Sequence, residues 1–229
     1  MKKLILLTSI ISLFFCKEIL SMTITNDSPA GDTLYLANPN YKLQTGLYSV
    51  YKTKHADIVM LGNSITHGVN WFELLGRSDV IERGIPSDNV AGFLNRMDFV
   101  YKLHPKICFV MGGINDIYSG ITLDALFDNY KKVIEGLKEK GIIPVIQATL
   151  YVSPKWHNAA DKNPDVEKFD QMLKNYAKLN KIEFLDLNPY LTSNKFLRDE
   201  FTFDGLHLKA EAYKIWGQQV EKILSKYGL

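Results

Sequence analysis

Ser64 stands in Gly62-Asn63-Ser64-Ile65-Thr66, directly after the apolar run at 57–62. A serine on a strand-to-helix turn can project its hydroxyl from the top of a sheet, while its N–H and the helix start behind it face developing negative charge. Ser64 as a plain helix N-cap is the simpler alternative. The turn is neither a Gly-x-Ser-x-Gly elbow, because Thr66 takes the last position, nor a phosphate loop, because no Gly-Lys-Ser/Thr follows. Near the other end, Asp204 and His207 lie three apart in Phe203-Asp204-Gly205-Leu206-His207. A carboxylate at that distance can accept the imidazole Nδ1–H and leave Nε2 facing a serine. Asp204 capping the final helix is again the simpler alternative. An Asp/His metal pair is a third, weakened because no other His, Cys or Glu stands at ligand spacing.

Two further blocks carry donors. Gly84, in Arg83-Gly84-Ile85-Pro86-Ser87-Asp88, allows a backbone N–H to approach a ligand closely, or is a turn glycine. Asn115, in Gly112-Gly113-Ile114-Asn115-Asp116, can set a side-chain amide beside the serine as an oxyanion donor, or cap the next helix. Around these, Trp156 and His157 lie in a polar loop expected over 151–164, where they can meet a sugar ring or an acidic group, or be ordinary surface. Trp71 follows Ser64 closely enough to line an acyl pocket, or to pack the first helix. His67, three after Ser64, can reach the edge of such a site.

These residues need elements that bring them together. DIVMLG (57–62), DVIERG (79–84), KICFVMGG (106–113), IIPVIQATL (142–150) and IEFLDL (182–187) read as strands, the first and third as continuous apolar runs suited to burial on both faces. Helical spacing of apolar residues recurs at 41–54, 89–103, 122–140, 165–180 and 208–227. Strands alternating with helices predict a three-layer α/β/α sandwich with a five-stranded parallel sheet, whose ligands bind beyond the carboxyl ends of the strands. Ser64, Gly84, Asn115 and the Asp204–His207 pair all follow strands.

Composition agrees with an ordinary globular chain: 229 residues, 46% hydrophobic, 23% charged, formal net charge +2. That balance excludes a largely disordered chain and gives no basic face for nucleic acid. Met1–Met22 has Lys2 and Lys3 before a short apolar run at Leu4–Phe15, the pattern of an export signal. The run is too short for a spanning helix. Export to the periplasm or medium is expected, with lipid attachment at Cys16 as the lesser alternative. Removing 1–22 leaves 24 residues of each charge and one cysteine, Cys108, in an apolar strand. A polar leader is expected over 23–40 and one folded domain over 41–229.

Taken in order, the blocks GNSIT, RGI, GGIND and DGLHL resemble those of the SGNH or GDSL-type serine esterases and lipases. The flanking ERGIPSDN and LHLKAEAY resemble the platelet-activating-factor acetylhydrolase-like branch. The resemblance runs from about Asp57 to the end. It implies a flavodoxin-like SGNH hydrolase fold and a Ser64–His207–Asp204 triad working through an acyl-enzyme. It also implies an oxyanion hole from the Ser64 and Gly84 N–H groups and the Asn115 amide, with no cofactor or metal. Asn63 replaces the usual Asp of the signature. Pro86-Ser87 stands where that branch carries small glycine-rich residues, which leaves the shape of the oxyanion loop open. A short acyl group, acetyl above all, on a carbohydrate is the expected substrate, because no long apolar lid segment appears. A short-chain lipase, lysophospholipase or acyltransferase of the same family is the alternative. A metal-dependent phosphoesterase and a non-catalytic carbohydrate-binding protein stand further off.

Overall fold

The computed structural model describes residues 33–229, so the export-signal expectation over 1–22 lies outside the described residues. The sheet has five parallel strands: β1 (Ile58–Gly62), β2 (Val80–Gly84), β3 (Ile107–Met111), β4 (Ile143–Gln147) and β5 (Glu183–Leu185). Their order is β2-β1-β3-β4-β5. The central strands β1 and β3 are buried at every residue, as their unbroken apolar runs require. Pro144 sits inside β4, yet costs no ladder bond to β5. Ile143 N–H points to β3, so Pro144 faces the other way, and β5 begins only opposite Val145.

Helices cover both faces. On one side α3 (Trp71–Leu75) packs on α10 (Ala210–Lys226). On the other, α4 (Val90–Asn95), α7 (Leu123–Glu139) and α8 (Ala159–Asn180) form a row. The chain leaves β1 for β2 on one flank and returns to β3 on the other. The order therefore reverses between β1 and β3, and such a switch point opens a crevice beyond the strand ends. Ser64 follows β1 and Asn115 follows β3, one on each side of that crevice.

Several elements differ from the sequence expectations. The N-terminal helix, α1, spans Pro39–Val50 rather than 41–54, because Asn38 caps it and Pro39 fits its first turn. The helix expected over 89–103 is two pieces, α4 and α5 (Asp98–Tyr101). It breaks at Arg96, whose φ of −121° leaves helical geometry as its side chain turns inward. Helix α8 starts six residues before the expected 165 and carries Pro164 inside it, so the loop after β4 spans 148–158 in place of the expected 151–164. Asn163 overrides the proline by donating to Val152 and Lys195 carbonyls and accepting from Val152 N–H. The hairpin β6–β7 (Thr192–Ser193, Phe196–Leu197) was not expected; Asn194 and Lys195 both take positive φ, as a tight two-residue turn demands.

Candidate active site

The serine turn is built by close approach. A Cβ on Gly62 would lie 2.0 Å from Thr66 Oγ1 and 2.9 Å from the Met111 carbonyl, so only glycine lets the chain fold back there. Asn63 caps the short helix α2 (Ser64–His67), its side chain accepting from Ile65 N–H at 3.0 Å. Ser64 is thus the first helical residue, and its N–H has no intrahelical acceptor.

His207 Nε2 lies 3.0 Å from Ser64 Oγ, and His207 Nδ1 lies 2.6 Å from Asp204 Oδ2. The other carboxylate oxygen of Asp204 accepts N–H groups from Leu206 at 2.9 Å and His207 at 2.7 Å. Burial opposes ionisation of Asp204, but the hydrogen bonds from the His207 ring and the two backbone N–H groups outweigh it and hold the carboxyl below its ordinary value. An ionised carboxylate only accepts, so Nδ1 carries the proton and Nε2 is left to accept from the serine hydroxyl. The loop that carries the pair is pinned from outside. Thr202 Oγ1 donates to the His207 carbonyl at 2.7 Å and accepts from Gly205 N–H at 2.9 Å. Ser153 N–H donates to the Gly205 carbonyl at 2.8 Å.

Of the expected oxyanion donors, Asn115 has its amide held in place. Its Nδ2 donates one hydrogen to the Asp88 carbonyl at 2.8 Å, which fixes the amide plane and leaves the second hydrogen. Gly84 differs from expectation. Its N–H donates to the Glu82 carboxylate. A Cβ there would meet Asn63 O and His67 N at 2.6 Å, so Gly84 lets β2 press against the serine turn. Sequence reasoning missed Ser87. It has φ 60°, and among the described residues its N–H has no acceptor. It lines a pocket with Asn115, Tyr118, Ser119, Trp156 and His157. The signal was the departure at Pro86-Ser87 from a glycine-rich loop.

That pocket encloses about 250 Å³, below the roughly 300–1,000 Å³ of sites for drug-sized ligands. Trp156 and the His207 ring lie at right angles with 6.3 Å between centroids, and Phe203, 69% exposed, stacks on the imidazole at 5.8 Å. Tyr118 donates to the His157 carbonyl at 2.9 Å and steadies the aromatic loop. Trp71, by contrast, is core. It is 1% exposed, donates to the Thr66 carbonyl and packs edge-on against Trp216. His67 turns away from the pocket to Glu82, whose hydrogen bond raises its pKa against burial. A larger open groove of about 550 Å³ passes His67, Phe72 and Glu82 along the outer edge of β2. Asn115 does not line it. Among the described residues, no group of three or more His, Cys, Asp or Glu could hold a metal ion, and no helix is long and apolar enough to cross a membrane. Cys108 is buried in β3, and burial pushes its thiol pKa up, away from reactivity.

Comparison with known proteins places the chain in a family. The model of the GDSL-like Lipase/Acylhydrolase family matches residues 60–215. A GDSL-like lipase from Bacteroides thetaiotaomicron is 25% identical with a TM-score of 0.72, covering 82% of this chain and 98% of its own. A lipase/acylhydrolase from Enterococcus faecalis has the same fold, with 19% identity, a TM-score of 0.66, and coverage of 75% and 96%. An N-acylneuraminate cytidylyltransferase of Streptococcus agalactiae serotype V is 31% identical over 177 residues, 76% of this chain. The chain spans 40% of the length of the curated relatives it matches.

Proposed function

From a chain that belongs to the GDSL-like lipase/acylhydrolase family and is a serine ester hydrolase, we propose a narrower activity: removal of short acyl groups, acetyl above all, from a carbohydrate. The observation that carries this reading is the Ser64–His207–Asp204 line, with Leu206 and Trp156, which adjoin His207, on the wall of a pocket of about 250 Å³. In it, His207 Nε2 takes the hydroxyl proton as Ser64 Oγ attacks the ester carbonyl. Asp204 holds the Nδ1–H tautomer and stabilises the imidazolium. The Ser64 and Ser87 N–H groups and the second Asn115 amide hydrogen face the oxyanion. Gly84 takes no part in that hole, because Glu82 holds its N–H. The imidazolium then protonates the leaving alcohol. Water, deprotonated by the same ring, cleaves the acyl-enzyme and restores the serine.

Three features favour a small acyl group on a polar alcohol. The pocket is small, it carries Ser87, Asn115, Ser119 and His157 on its wall, and Trp156, also on that wall, is an aromatic side chain of a sugar's size. The names of the partial relatives make an O-acetyl ester of an N-acylneuraminate the first glycan to try. The test is kcat/KM on p-nitrophenyl acetate and octanoate, followed by acetate release from O-acetylated N-acylneuraminate and O-acetylated xylan. We expect acetate to exceed octanoate at least tenfold. A preference for octanoate would overturn the short-acyl reading in favour of a lipase.

A further inference from the structure

We propose that Arg96 is a positioning residue for this hydrolysis: its buried guanidinium sets the distance between the Ser64 turn and the loop at 85–89, which carries the Ser87 N–H and orients the Asn115 amide. The proposal rests on the hydrolytic reading of Ser64 given above.

The Arg96 side chain is wholly buried, as is that of Asp88. Its Nε donates to Asp88 Oδ2 at 2.8 Å, Nη1 to the Arg83 carbonyl at 2.9 Å and Nη2 to the Gly62 carbonyl at 2.9 Å. Those acceptors belong to three pieces of the site. Gly62 ends the strand that carries the serine. Arg83 is next to last in β2. Asp88 is the residue whose own carbonyl orients the Asn115 amide, and it follows Ser87 directly. The Gly62 carbonyl also accepts from Ile85 N–H at 3.1 Å, so the loop and the guanidinium share one anchor on the nucleophile strand. At the far side of the loop, the Asp116 carboxylate accepts from Val90 N–H at 3.1 Å.

A buried ion pair is a poor device for stability, since apolar residues of equal volume fill such a space at no desolvation cost. Burial raises the Asp88 carboxyl to about 6 even against the attraction of Arg96. What the pair supplies is geometry. A planar fork with fixed angles binds three acceptors at once, which a lysine ammonium on a flexible stem cannot reproduce. Arg96 reaches neither the serine hydroxyl nor the pocket wall, so it acts through Asp88 and Gly62.

The test is a double-mutant cycle of Arg96→Lys and Asn115→Ala on p-nitrophenyl acetate, with melting curves for each protein. Arg96→Lys keeps the positive charge for Asp88. It is expected to fold, to lose kcat at least tenfold, and to keep KM within threefold. With Asn115 already removed, the lysine has less left to disturb, so the double variant should lose at least threefold less than the product of the single losses. Leu137→Ala, buried at the far end of α7, controls for general destabilisation and should leave kcat unchanged. If Arg96→Lys does not fold, Asp88→Asn carries the same cycle with the same split expected. An unchanged kcat, fully multiplicative losses, or an equal kcat loss in Leu137→Ala would overturn the proposal. Failure of the hydrolytic reading itself would look different: Ser64→Ala would retain the wild-type rate.

Discussion

Replacing Asp204 by asparagine changes one atom and inverts the proton logic of the site. One carboxylate oxygen accepts the Leu206 and His207 N–H groups at 2.9 and 2.7 Å, and the other faces His207 Nδ1 at 2.6 Å. An amide nitrogen cannot accept, so the asparagine oxygen must stay with the two backbone N–H groups and the NH₂ must face Nδ1. Two donors cannot share that contact. The ring then keeps its proton on Nε2, which lies 3.0 Å from Ser64 Oγ and becomes a donor to the serine instead of its base. The equivalent swap in a serine-protease triad lowers kcat about 10⁴-fold, or about 5 kcal/mol in activation free energy. The loop keeps its two backbone hydrogen bonds, so the fold should survive. The assay is steady-state hydrolysis of p-nitrophenyl acetate at pH 7.5, with a melting curve to certify the fold. Loss of less than tenfold by a folded Asp204→Asn would refute the assignment of Asp204 as the residue that sets the tautomer.

Two other perturbations read different parts of the structure. Gly205 has φ 104°, and a Cβ there would lie 2.8 Å from Trp156 N, so Gly205→Ala should cost roughly 1–3 kcal/mol of backbone strain and at least tenfold in kcat as the His207 loop shifts. Gly76→Ala, also at positive φ but in open space, should lower the melting temperature and leave turnover alone; equal turnover losses in both would defeat the argument. Asp116 is buried, and desolvation raises its carboxyl to about 7. Its folded value is above the unfolded one, so its contribution is full below about pH 4 and is lost as pH rises through 7. Lowering pH from 8 to 6 should therefore raise the melting temperature, and Asp116→Asn should flatten that slope; an unchanged slope in the variant would show that Asp116 is not the group responsible.

The parts of the fold that were legible in the sequence are those fixed by local chemistry. Apolar runs such as DIVMLG and KICFVMGG have no plausible fate but buried strands. The blocks around Ser64, Asn115 and His207 could be placed because each follows a strand. What escaped was set by tertiary contacts. Pro164 reads as a helix breaker, yet Asn163 binds three backbone groups and the helix continues. Arg96 falls within the helix expected over 89–103, and nothing local shows that three carbonyl and carboxylate oxygens await it inside. Gly84 was chosen for its missing side chain, but whether an N–H is free depends on Glu82, a partner that spacing alone does not assign. Ser87 carried no signal of its own beyond standing where a glycine is usual. Trp71 was offered both as pocket and as core, and its burial and its packing against Trp216 decide for core.

The central claim is that Ser64 is the nucleophile, and one comparison tests it most directly. Wild-type protein, Ser64→Ala and wild type treated with EDTA are each assayed for p-nitrophenyl acetate hydrolysis. The account predicts activity that survives EDTA and falls to background in a folded Ser64→Ala. Activity that persists in Ser64→Ala and disappears with the chelator would contradict it and move the chemistry to a bound metal.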